Sequence, residues 1–229
     1  MDEGIVFENA PVTLVGGGSA PARDVTEALC HAPVCVAVDG GLAAALAAGA
    51  APVAVVGDFD SVAAADLARA PDAAQHKVAE QDTTDFEKAL ARVRAPWLIG
   101  VGFTGARVDH TLAALHALVA HDGPACALLA EDEVLFHCPP ALALPTEAGD
   151  VVSLFPLQRV TGRSEGLEWP IDGQKLAPGA RIGTSNRALG PVSLHVDGPG
   201  LIGIIPRARW AALMPVLARA PRHGPRPAP

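Results

Sequence analysis

The 229-residue chain lacks the sequence features of several large protein classes. No two of its cysteines form a CxxC pair, and there are only four: Cys30, Cys35, Cys126 and Cys138. Neither a zinc site nor a disulfide framework is indicated, and we expect these side chains to act as small buried hydrophobes. The formal net charge is −8 and the body of the chain has no basic face. Nucleic acid is therefore not an expected partner.

Signals for export and membrane insertion are also missing. Residues 1–4 are acidic and lack the basic and apolar regions of a signal peptide. The longest apolar stretch, residues 42–56, contains Pro52 and is too short to span a bilayer. Half of the residues are nonetheless hydrophobic, which is enough for one large domain or two small ones. We expect a soluble cytoplasmic protein with no membrane partner.

Short apolar runs alternate with helical patterns over residues 1–137. The runs predict strands at residues 11–15, 34–38, 53–56, 75–78, 97–101 and 125–129. This alternation predicts an α/β fold with a parallel, Rossmann-like sheet flanked by helices. Ligands bind at the carboxyl edge of such sheets. Five loops rich in Gly, Asp and Thr fall at that edge: residues 16–19, 39–41, 57–61, 81–85 and 102–110.

The loop after the third predicted strand carries two carboxylates, Asp58 and Asp60. In an extended or turning backbone, residues two apart point to the same side, so both could aim at one cation while Phe59 turns into the core. Mg²⁺ prefers such oxygen ligands together with substrate phosphates. The alternative is that Asp58 closes a turn and Asp60 or Ser61 caps the next helix.

A second acidic cluster, Gln81-Asp82-Thr83-Thr84-Asp85, follows twenty residues later. Thr84 and Glu87 have the spacing of a capping box, and Asp85 could simply favour the helix N-terminus. Capping does not account for Gln81 and Asp82. Two carboxylate clusters close together would repel one another unless a cation joined them. The sequence alone does not establish that proximity.

Three side chains in the loop at residues 102–110 are candidates for contact with phosphate. Arg107 is the lone cation among the carboxylates, and a guanidinium suits phosphate oxygens. An ion pair with Asp109 is the alternative, and Asp109 is also placed as the N-cap of the next helix. His110 could transfer protons but is more simply a packed or capping residue, and His116 is expected in the core. The Gly-rich loop at residues 16–19 could approach a phosphate or merely turn.

The pattern changes after about residue 137. Cys138-Pro139-Pro140 begins a proline-rich connection, and short apolar runs punctuated by Gly and Pro follow it. We expect an all-β domain over residues 138–206, then a terminal helix within residues 207–229 and a disordered basic, proline-rich end. Gly166-Leu167-Glu168-Trp169-Pro170 and Thr184-Ser185-Asn186 are predicted to lie on turns of this domain.

Taken together, these blocks resemble the thiamin pyrophosphokinase (thiamin diphosphokinase) family. The matching motifs are Asp39-Gly40-Gly41, Gly57-Asp58-Phe59-Asp60-Ser61, Gln81-Asp82-Thr83-Thr84-Asp85-Phe86, Gly105-Ala106-Arg107-Val108-Asp109-His110, Gly166-Leu167-Glu168-Trp169 and Thr184-Ser185-Asn186. They extend from roughly residue 10 to residue 206. Ala106 departs from the pattern, since such proteins commonly have glycine there.

The resemblance implies an α/β catalytic domain over residues 1–137, a C-terminal β-sandwich and a homodimer. It implies that ATP and thiamin react to give thiamin diphosphate and AMP. The metal and catalytic residues would be Asp58, Asp60, Asp82 and Asp85, with Arg107 on a phosphate. Other residues would bind the nucleotide: Asp39, Gly40, Gly41, Gln81, Thr84, Asp109 and His110. Thiamin would lie near Trp169, Ser185 and Asn186.

Two rival functions use the same motifs. A pyrophosphokinase for another alcohol, such as a pterin, would need the same N-terminal blocks. A nucleotide or thiamin sensor would bind without turnover, but it would have no need of every acidic position. The residues do not decide whether Asp82 or Asp85 accepts the proton of the attacking hydroxyl.

Overall fold

The computed structural model describes residues 6–80 and 82–224. The chain divides into two compact units, Met1–Ala130 and Glu131–Pro229. Helices and sheets occur together, which confirms the predicted mixed α/β class. Among residues 6–80 and 82–224, no helix combines the length and the apolar character that crossing a bilayer requires.

Unit 1 is built on six parallel strands in the order β8-β7-β2-β3-β4-β5. The strands are β2 (Val12–Val15), β3 (Val34–Val38), β4 (Ala54–Gly57), β5 (Ala74–Lys77), β7 (Trp97–Val101) and β8 (Ala125–Leu129). All but the edge strand β5 are buried over nearly their whole length. Continuous apolar runs of this kind fit strands covered on both faces.

The helices of unit 1 follow the strands in the predicted order. They are α1 (Ala22–His31), α2 (Gly41–Ala47), α3 (Ala64–Arg69), α4 (Asp85–Arg92) and α5 (Val108–Ala120). A further two-stranded sheet, β1 (Val6–Phe7) with β6 (Val93–Arg94), is too short to be read from periodicity. The chain runs from β2 outward to β5 and then returns to place β7 on the other side of β2. That reversal creates a crevice at the carboxyl ends of β2 and β7.

Helix α5 buries a face that does not include His116. Its buried residues are Ala114, Ala117, Leu118 and Val119, whereas Leu112 is 58% exposed. His116 is exposed, so the prediction of a core histidine was wrong.

Unit 2 is antiparallel throughout its described strands. These are β9 (Glu133–His137), β10 (Ala141–Leu144), β11 (Val151–Pro156), β12 (Gly162–Leu167), β13 (Gly183–Val196) and β14 (Leu201–Pro206). Their order is β10-β13-β11-β14-β9, and β12 also pairs with β13. The long strand β13 pairs with β11 through its first half and with β10 and β12 through its second.

The division between the units differs from the boundary predicted at residue 137. Strand β9 pairs with β14, so it belongs to the second unit and the division falls after residue 130. A 3₁₀ turn (Arg207–Arg209) and helix α6 (Trp210–Arg219) close unit 2. The end of the tail that was expected to be disordered, residues 225–229, lies outside the described residues.

Three of the four cysteines are buried, as expected, and Cys30 is exposed. All four are free thiols. Burial raises the pKa of Cys35 to about 12, and it raises the pKa values of Cys126 and Cys138 as well. These three thiols are therefore protonated packing groups rather than nucleophiles.

Candidate functional site

A cavity of ≈ 470 Å³ opens at the carboxyl edge of the unit 1 sheet. Five chain segments contribute to its lining, and they are the loops predicted to gather there. The lining includes Gly17 and Gly18, Asp39 and Gly40, Asp58 and Ser61, residues 83–86 with Lys88, and residues 102–107 with His110. The cavity lies where β2 and β7 diverge, the position at which open α/β sheets bind ligands.

Three carboxylates converge in this region: Asp39 after β3, Asp58 after β4, and Asp85 at the start of α4. One oxygen from each lies within 4.8 Å of the other two. Asp39 is only 7% exposed, and its buried Oδ1 has no hydrogen-bond partner among the described residues. A buried carboxylate oxygen without a partner is costly. The donor set therefore fits a hard divalent cation, which would satisfy it.

Two local features bring Asp39 and Asp58 together. Asp39 adopts a left-handed backbone conformation with φ 46°. Gly57, the last residue of β4, lies against it, and a Cβ at Gly57 would come within 2.8 Å of the Asp39 Cβ. The close approach of the two strand ends thus requires glycine at position 57.

The N-terminus of α4 serves both as a cap and as part of the site. Thr84 and Glu87 form the predicted capping box, in which each side chain bonds the backbone amide of the other. Asp85 nonetheless does more than favour the helix dipole. Its Oδ1 accepts a hydrogen bond from the Asp58 amide at 3.3 Å, which joins the two acidic loops.

Sequence reasoning missed Lys88, whose side chain is only 1% exposed. Its Nζ donates to Asp85 Oδ1 at 3.0 Å and to Asp58 Oδ2 at 3.3 Å. Burial acts to lower the pKa of Lys88, but the hydrogen bonds to Asp85 and Asp58 outweigh it and the pKa is raised. The available signal was an acidic residue three positions before a lysine on a helix. Most pairs with this spacing are exposed and carry no function.

Two of the predicted metal ligands lie outside the converging group. Phe59 adopts φ 69°, which interrupts the extended alternation that would have aimed Asp58 and Asp60 together. Phe59 packs against the core, as expected, and Asp60 is exposed with its amide bonded to Asp58 Oδ1. Asp82 is also exposed, and Gln81 lies outside the described residues. Their roles stay predictions. Asp39, expected among the positions around Mg²⁺ and ATP but not as a metal ligand, joins Asp58 and Asp85.

Arg107 forms the ion pair with Asp109 that was considered for it. Its Nε and Nη2 bind the two carboxylate oxygens at 3.1 and 2.6 Å, and both side chains are more than 60% exposed. The Asp109 hydrogen bond raises the pKa of Arg107, and the Arg107 hydrogen bond lowers the pKa of Asp109. Ala106 adopts φ 38°, which favours glycine.

The helix after this loop begins earlier than the sequence suggested. The N-cap is Arg107 rather than Asp109, which lies in the first turn. Asp109 Oδ1 accepts a hydrogen bond from the His110 amide at 3.0 Å. His110, which was expected to be a packed or capping residue, is exposed and lines the cavity, and the N-cap position belongs to Arg107.

Gly18, Gly40 and Gly41, from the predicted glycine-rich loops, lie close to neighbouring segments at the carboxyl edge and are together called the glycine cradle. Gly41 begins α2 directly against the end of β2, where a Cβ would collide with the carbonyl oxygen of Val15. Gly18 donates its amide to the Gly102 carbonyl at 3.0 Å, and a Cβ there would come within 2.6 Å of that oxygen. Gly40 also lines the cavity. Positions 18 and 41 therefore require glycine because neighbouring backbone lies directly against them.

In unit 2, Trp169 is 54% exposed and therefore does not cover a core. Its backbone is fixed by Asn186, whose Oδ1 accepts from the Trp169 amide at 3.2 Å and whose Nδ2 donates to the Trp169 carbonyl at 2.6 Å. Asn186 is 6% exposed, so its amide supports the Trp169 segment from beneath.

Both predicted turn motifs of unit 2 coincide with register shifts in its strands. Ser185 has φ 59° and lies inside β13, where pairing with β11 shifts between Val152 and Leu154. Gly166 has φ 81° and lies inside β12, where pairing with β13 also shifts. The prediction of a turn was wrong for Thr184-Ser185-Asn186, which lies inside β13, whereas Gly166 and Leu167 end β12 and the next two residues form a bend. Bulges re-aim side chains, which leaves Ser185 exposed beside buried Asn186.

Two family models match the chain in order. The model described as thiamin pyrophosphokinase, catalytic domain, matches residues 25–128. The model described as thiamin pyrophosphokinase, vitamin B1 binding domain, matches residues 137–201. Together they span more than half of the chain. No curated protein matches it.

Solved structures with this fold carry the same description. A thiamin pyrophosphokinase from Geobacillus thermodenitrificans is 26% identical with a TM-score of 0.70, over 86% of this chain and 96% of that one. The Candida albicans protein has a TM-score of 0.75 at 13% identity, over 90% and 93% of the two chains. The yeast thiamin pyrophosphokinase has a TM-score of 0.70 at 13% identity, over 92% of this chain and 94% of that one. With both domain models matched in sequence order and this fold shared along nearly its whole length, the chain belongs to the thiamin pyrophosphokinase family.

Proposed function

We propose that the chain transfers a pyrophosphoryl group from ATP to the hydroxyl of thiamin, giving thiamin diphosphate and AMP. The observation that carries this proposal is the convergence of Asp39, Asp58 and Asp85 beside the cavity. Phosphoryl transfer needs positioning and charge neutralisation more than covalent chemistry. The match of residues 137–201 to a vitamin B1 binding domain favours thiamin over a pterin alcohol.

Asp39, Asp58 and Asp85 would hold a divalent cation, with Mg²⁺ the ion that suits carboxylates and phosphates. That ion would neutralise phosphate oxygens when bound. Asp60 and Asp82, which belong to the same two loops, are proposed to complete the set once the nucleotide is present. The glycine cradle supplies backbone amides at the sheet edge, where anions are readily accommodated.

Arg107 is proposed to neutralise a transferred phosphate oxygen. Its guanidinium pairs with Asp109, and Arg107 lies in the cavity lining. The thiamin hydroxyl oxygen attacks the β-phosphorus, the bond from that phosphorus to the bridging oxygen of AMP breaks, and a carboxylate takes the hydroxyl proton. Asp82 and Asp85 are the candidates for that carboxylate.

Trp169 is proposed to receive the thiamin ring, with Ser185 beside it. An exposed indole offers a face to a planar cation, an attraction of roughly 0.5–2 kcal/mol. Asn186, by contrast, is already bonded to the Trp169 backbone and is proposed to position that segment rather than to touch thiamin. This reassigns one of the predicted substrate-binding residues.

We also propose that the active form is a cytoplasmic homodimer. Val108 and Leu112, one turn apart on α5, are 74% and 58% exposed. These two apolar side chains are proposed as part of the contact with the second copy. Sedimentation at micromolar concentration should give about twice the 23.3 kDa chain mass. A fully active monomer would contradict the dimer.

The proposed reaction is tested by incubating the protein with ATP, Mg²⁺ and thiamin and measuring AMP and thiamin diphosphate. We expect equal amounts of the two products. A matched incubation with a pterin alcohol in place of thiamin should release no AMP. AMP release with the pterin alone would support the rival enzyme, and saturable thiamin binding without AMP would support the sensor.

A further inference from the structure

Lys88 brings a positive charge to within hydrogen-bond distance of two of the converging carboxylates, Asp58 and Asp85. It lies one turn after Asp85 on α4, and its Nζ bridges Asp85 Oδ1 and Asp58 Oδ2 at 3.0 and 3.3 Å. The side chain is 1% exposed, so it is neither a surface ion pair nor a mobile phosphate ligand. A buried ammonium is stable only with such partners.

The hydrogen bonds divide the cluster into two sides. Lys88 takes one oxygen of Asp85 and one of Asp58, while Asp58 Oδ1 accepts from the Asp60 amide. Within the described part of the chain, no hydrogen bond reaches Asp85 Oδ2, and the buried Asp39 Oδ1 has no partner. One set of oxygens therefore faces the ammonium, and another is left for a cation.

The formal charges of the cluster also indicate that it can bind a divalent cation. Three carboxylates and one ammonium carry a net charge of −2, which a single divalent cation neutralises. Without Lys88 the three carboxylates would repel one another at their separation of at most 4.8 Å. The ammonium thus opposes that repulsion whenever the cation is absent.

We propose that Lys88 is a positioning residue, the built-in counter-ion that holds Asp58 and Asp85 in place without metal and restrains how tightly the site binds its divalent cation. This rests on the proposed function only in taking the cluster as the cation site. Lys88 does not act as a phosphate ligand. Its removal should therefore change metal binding in the absence of any nucleotide.

The test compares Lys88→Met with the matched control Lys77→Met, which removes a lysine of the same unit that is exposed. Mn²⁺ binding is measured by electron paramagnetic resonance on the full chain without ATP or thiamin. Lys88→Met should bind Mn²⁺ at least about 10-fold more tightly than the wild type, because a nearby positive charge is gone. Lys77→Met should match the wild type.

Thermal melting separates this role from simple packing. The metal-free Lys88→Met protein should melt several degrees lower than the wild type, and saturating Mn²⁺ should recover most of the loss, since tighter binding stabilises more. A packing role predicts the same deficit with and without Mn²⁺. A phosphate-binding role predicts unchanged Mn²⁺ affinity with a raised KM for ATP. Either result would overturn the proposal.

A double variant keeps the proposal testable if Lys88→Met does not fold. Asp85→Asn combined with Lys88→Met removes one charge of each sign and restores the net charge of −2. It should melt above Lys88→Met alone without metal, and an equal or lower melting temperature would refute charge compensation. Absence of AMP formation by the wild type would instead reject the proposed reaction, and the Mn²⁺ result would stand.

Discussion

The side-chain amide of Asn186 forms hydrogen bonds with both the backbone amide and the backbone carbonyl of Trp169. Its oxygen accepts from the Trp169 amide at 3.2 Å, and its nitrogen donates to the Trp169 carbonyl at 2.6 Å. The same oxygen also accepts from the Arg187 amide at 2.8 Å. The indole is left 54% exposed above a buried polar support. This arrangement separates the residue that would contact a ligand from the residue that orients it.

Replacement of Trp169 by alanine should weaken the binding of thiamin and leave the binding of ATP nearly unchanged. Trp169→Ala is expected to raise the KM for thiamin at least several-fold, as the loss of a stacking and cation–π contact worth roughly 0.5–2 kcal/mol implies. The KM for ATP should change little, because the proposed nucleotide residues belong to unit 1. Steady-state kinetics with each substrate varied in turn provide the measurement. Equal losses for both substrates, with a lower melting temperature, would assign Trp169 a packing role.

Asn186→Ala should impair both binding and stability. Truncation leaves the backbone amide and carbonyl of Trp169 without their partner, and such groups cost about 1–3 kcal/mol each when buried. We expect a lower melting temperature and a raised KM for thiamin with Trp169 still present. Ser185→Ala is the matched control for the melting temperature alone, since its exposed hydroxyl supports neither backbone group. A fully stable Asn186→Ala protein would show that the Trp169 segment is held by other contacts.

The sequence could predict only part of the site: Trp169 was among the predicted site residues, whereas Lys88 was missed. The order of strands and helices followed from periodicity, and the capping box at Thr84 followed from spacing alone. The loops that carry Asp58 and Asp85 were expected at one edge of the sheet because parallel strands end there, although the sequence did not establish that the two carboxylates meet. These features depend on contacts that are local or dictated by the sheet.

Features that depend on long-range approach could not be predicted. The entry of Asp39 into the acidic cluster requires its φ of 46° and the contact with Gly57, and neither is encoded in a local pattern. The environment of Lys88 depends on Asp58 and Asp85, which belong to two acidic loops, and Asp58 lies 30 residues away in the sequence. The bulges at Gly166 and Ser185 depend on strand register, which short and irregular apolar runs specify weakly.

A divalent cation should be obligatory for turnover. Asp58→Asn and Asp85→Asn should each lower kcat by roughly 10²-fold or more, because lost charge stabilisation of this kind costs a few kcal/mol. Excess EDTA should abolish AMP release, and Mg²⁺ should restore it. Asp66→Asn is the control, since Asp66 pairs with Arg69 on α3. Full activity in EDTA would reject the metal-dependent mechanism.

Asp60→Asn tests the part of the predicted ligand set that the structure leaves outside the cluster. We expect a loss comparable to that of Asp58→Asn, because Asp60 is proposed to complete the set of carboxylates that holds the cation. The melting temperature should stay near that of the wild type, since Asp60 is exposed. Turnover equal to that of the wild type would remove Asp60 from the set.

The ion pair between Asp150 and Arg209 should make unit 2 sensitive to acid. Arg209 Nε binds Asp150 Oδ2 at 2.8 Å and Nη2 binds Oδ1 at 3.3 Å. Burial acts to raise the pKa of Asp150, but the hydrogen bonds from Arg209 and from the Glu147 amide outweigh it, so the pKa lies below its usual value. A carboxylate with a lowered pKa in the folded state stabilises that state above its unfolded pKa of about 3.9.

That stabilisation should disappear as the pH falls below about 3.9 and through the folded pKa of Asp150, because protonation then removes the charge in both states. Asp150→Asn should therefore melt below the wild type at pH 7, and the two melting curves should approach one another toward pH 3. Asp132→Asn, which alters an exposed carboxylate of the same unit, is the matched control and should follow the wild type throughout. A deficit of Asp150→Asn that stays constant from pH 7 to pH 3 would show that Asp150 contributes hydrogen bonds rather than charge.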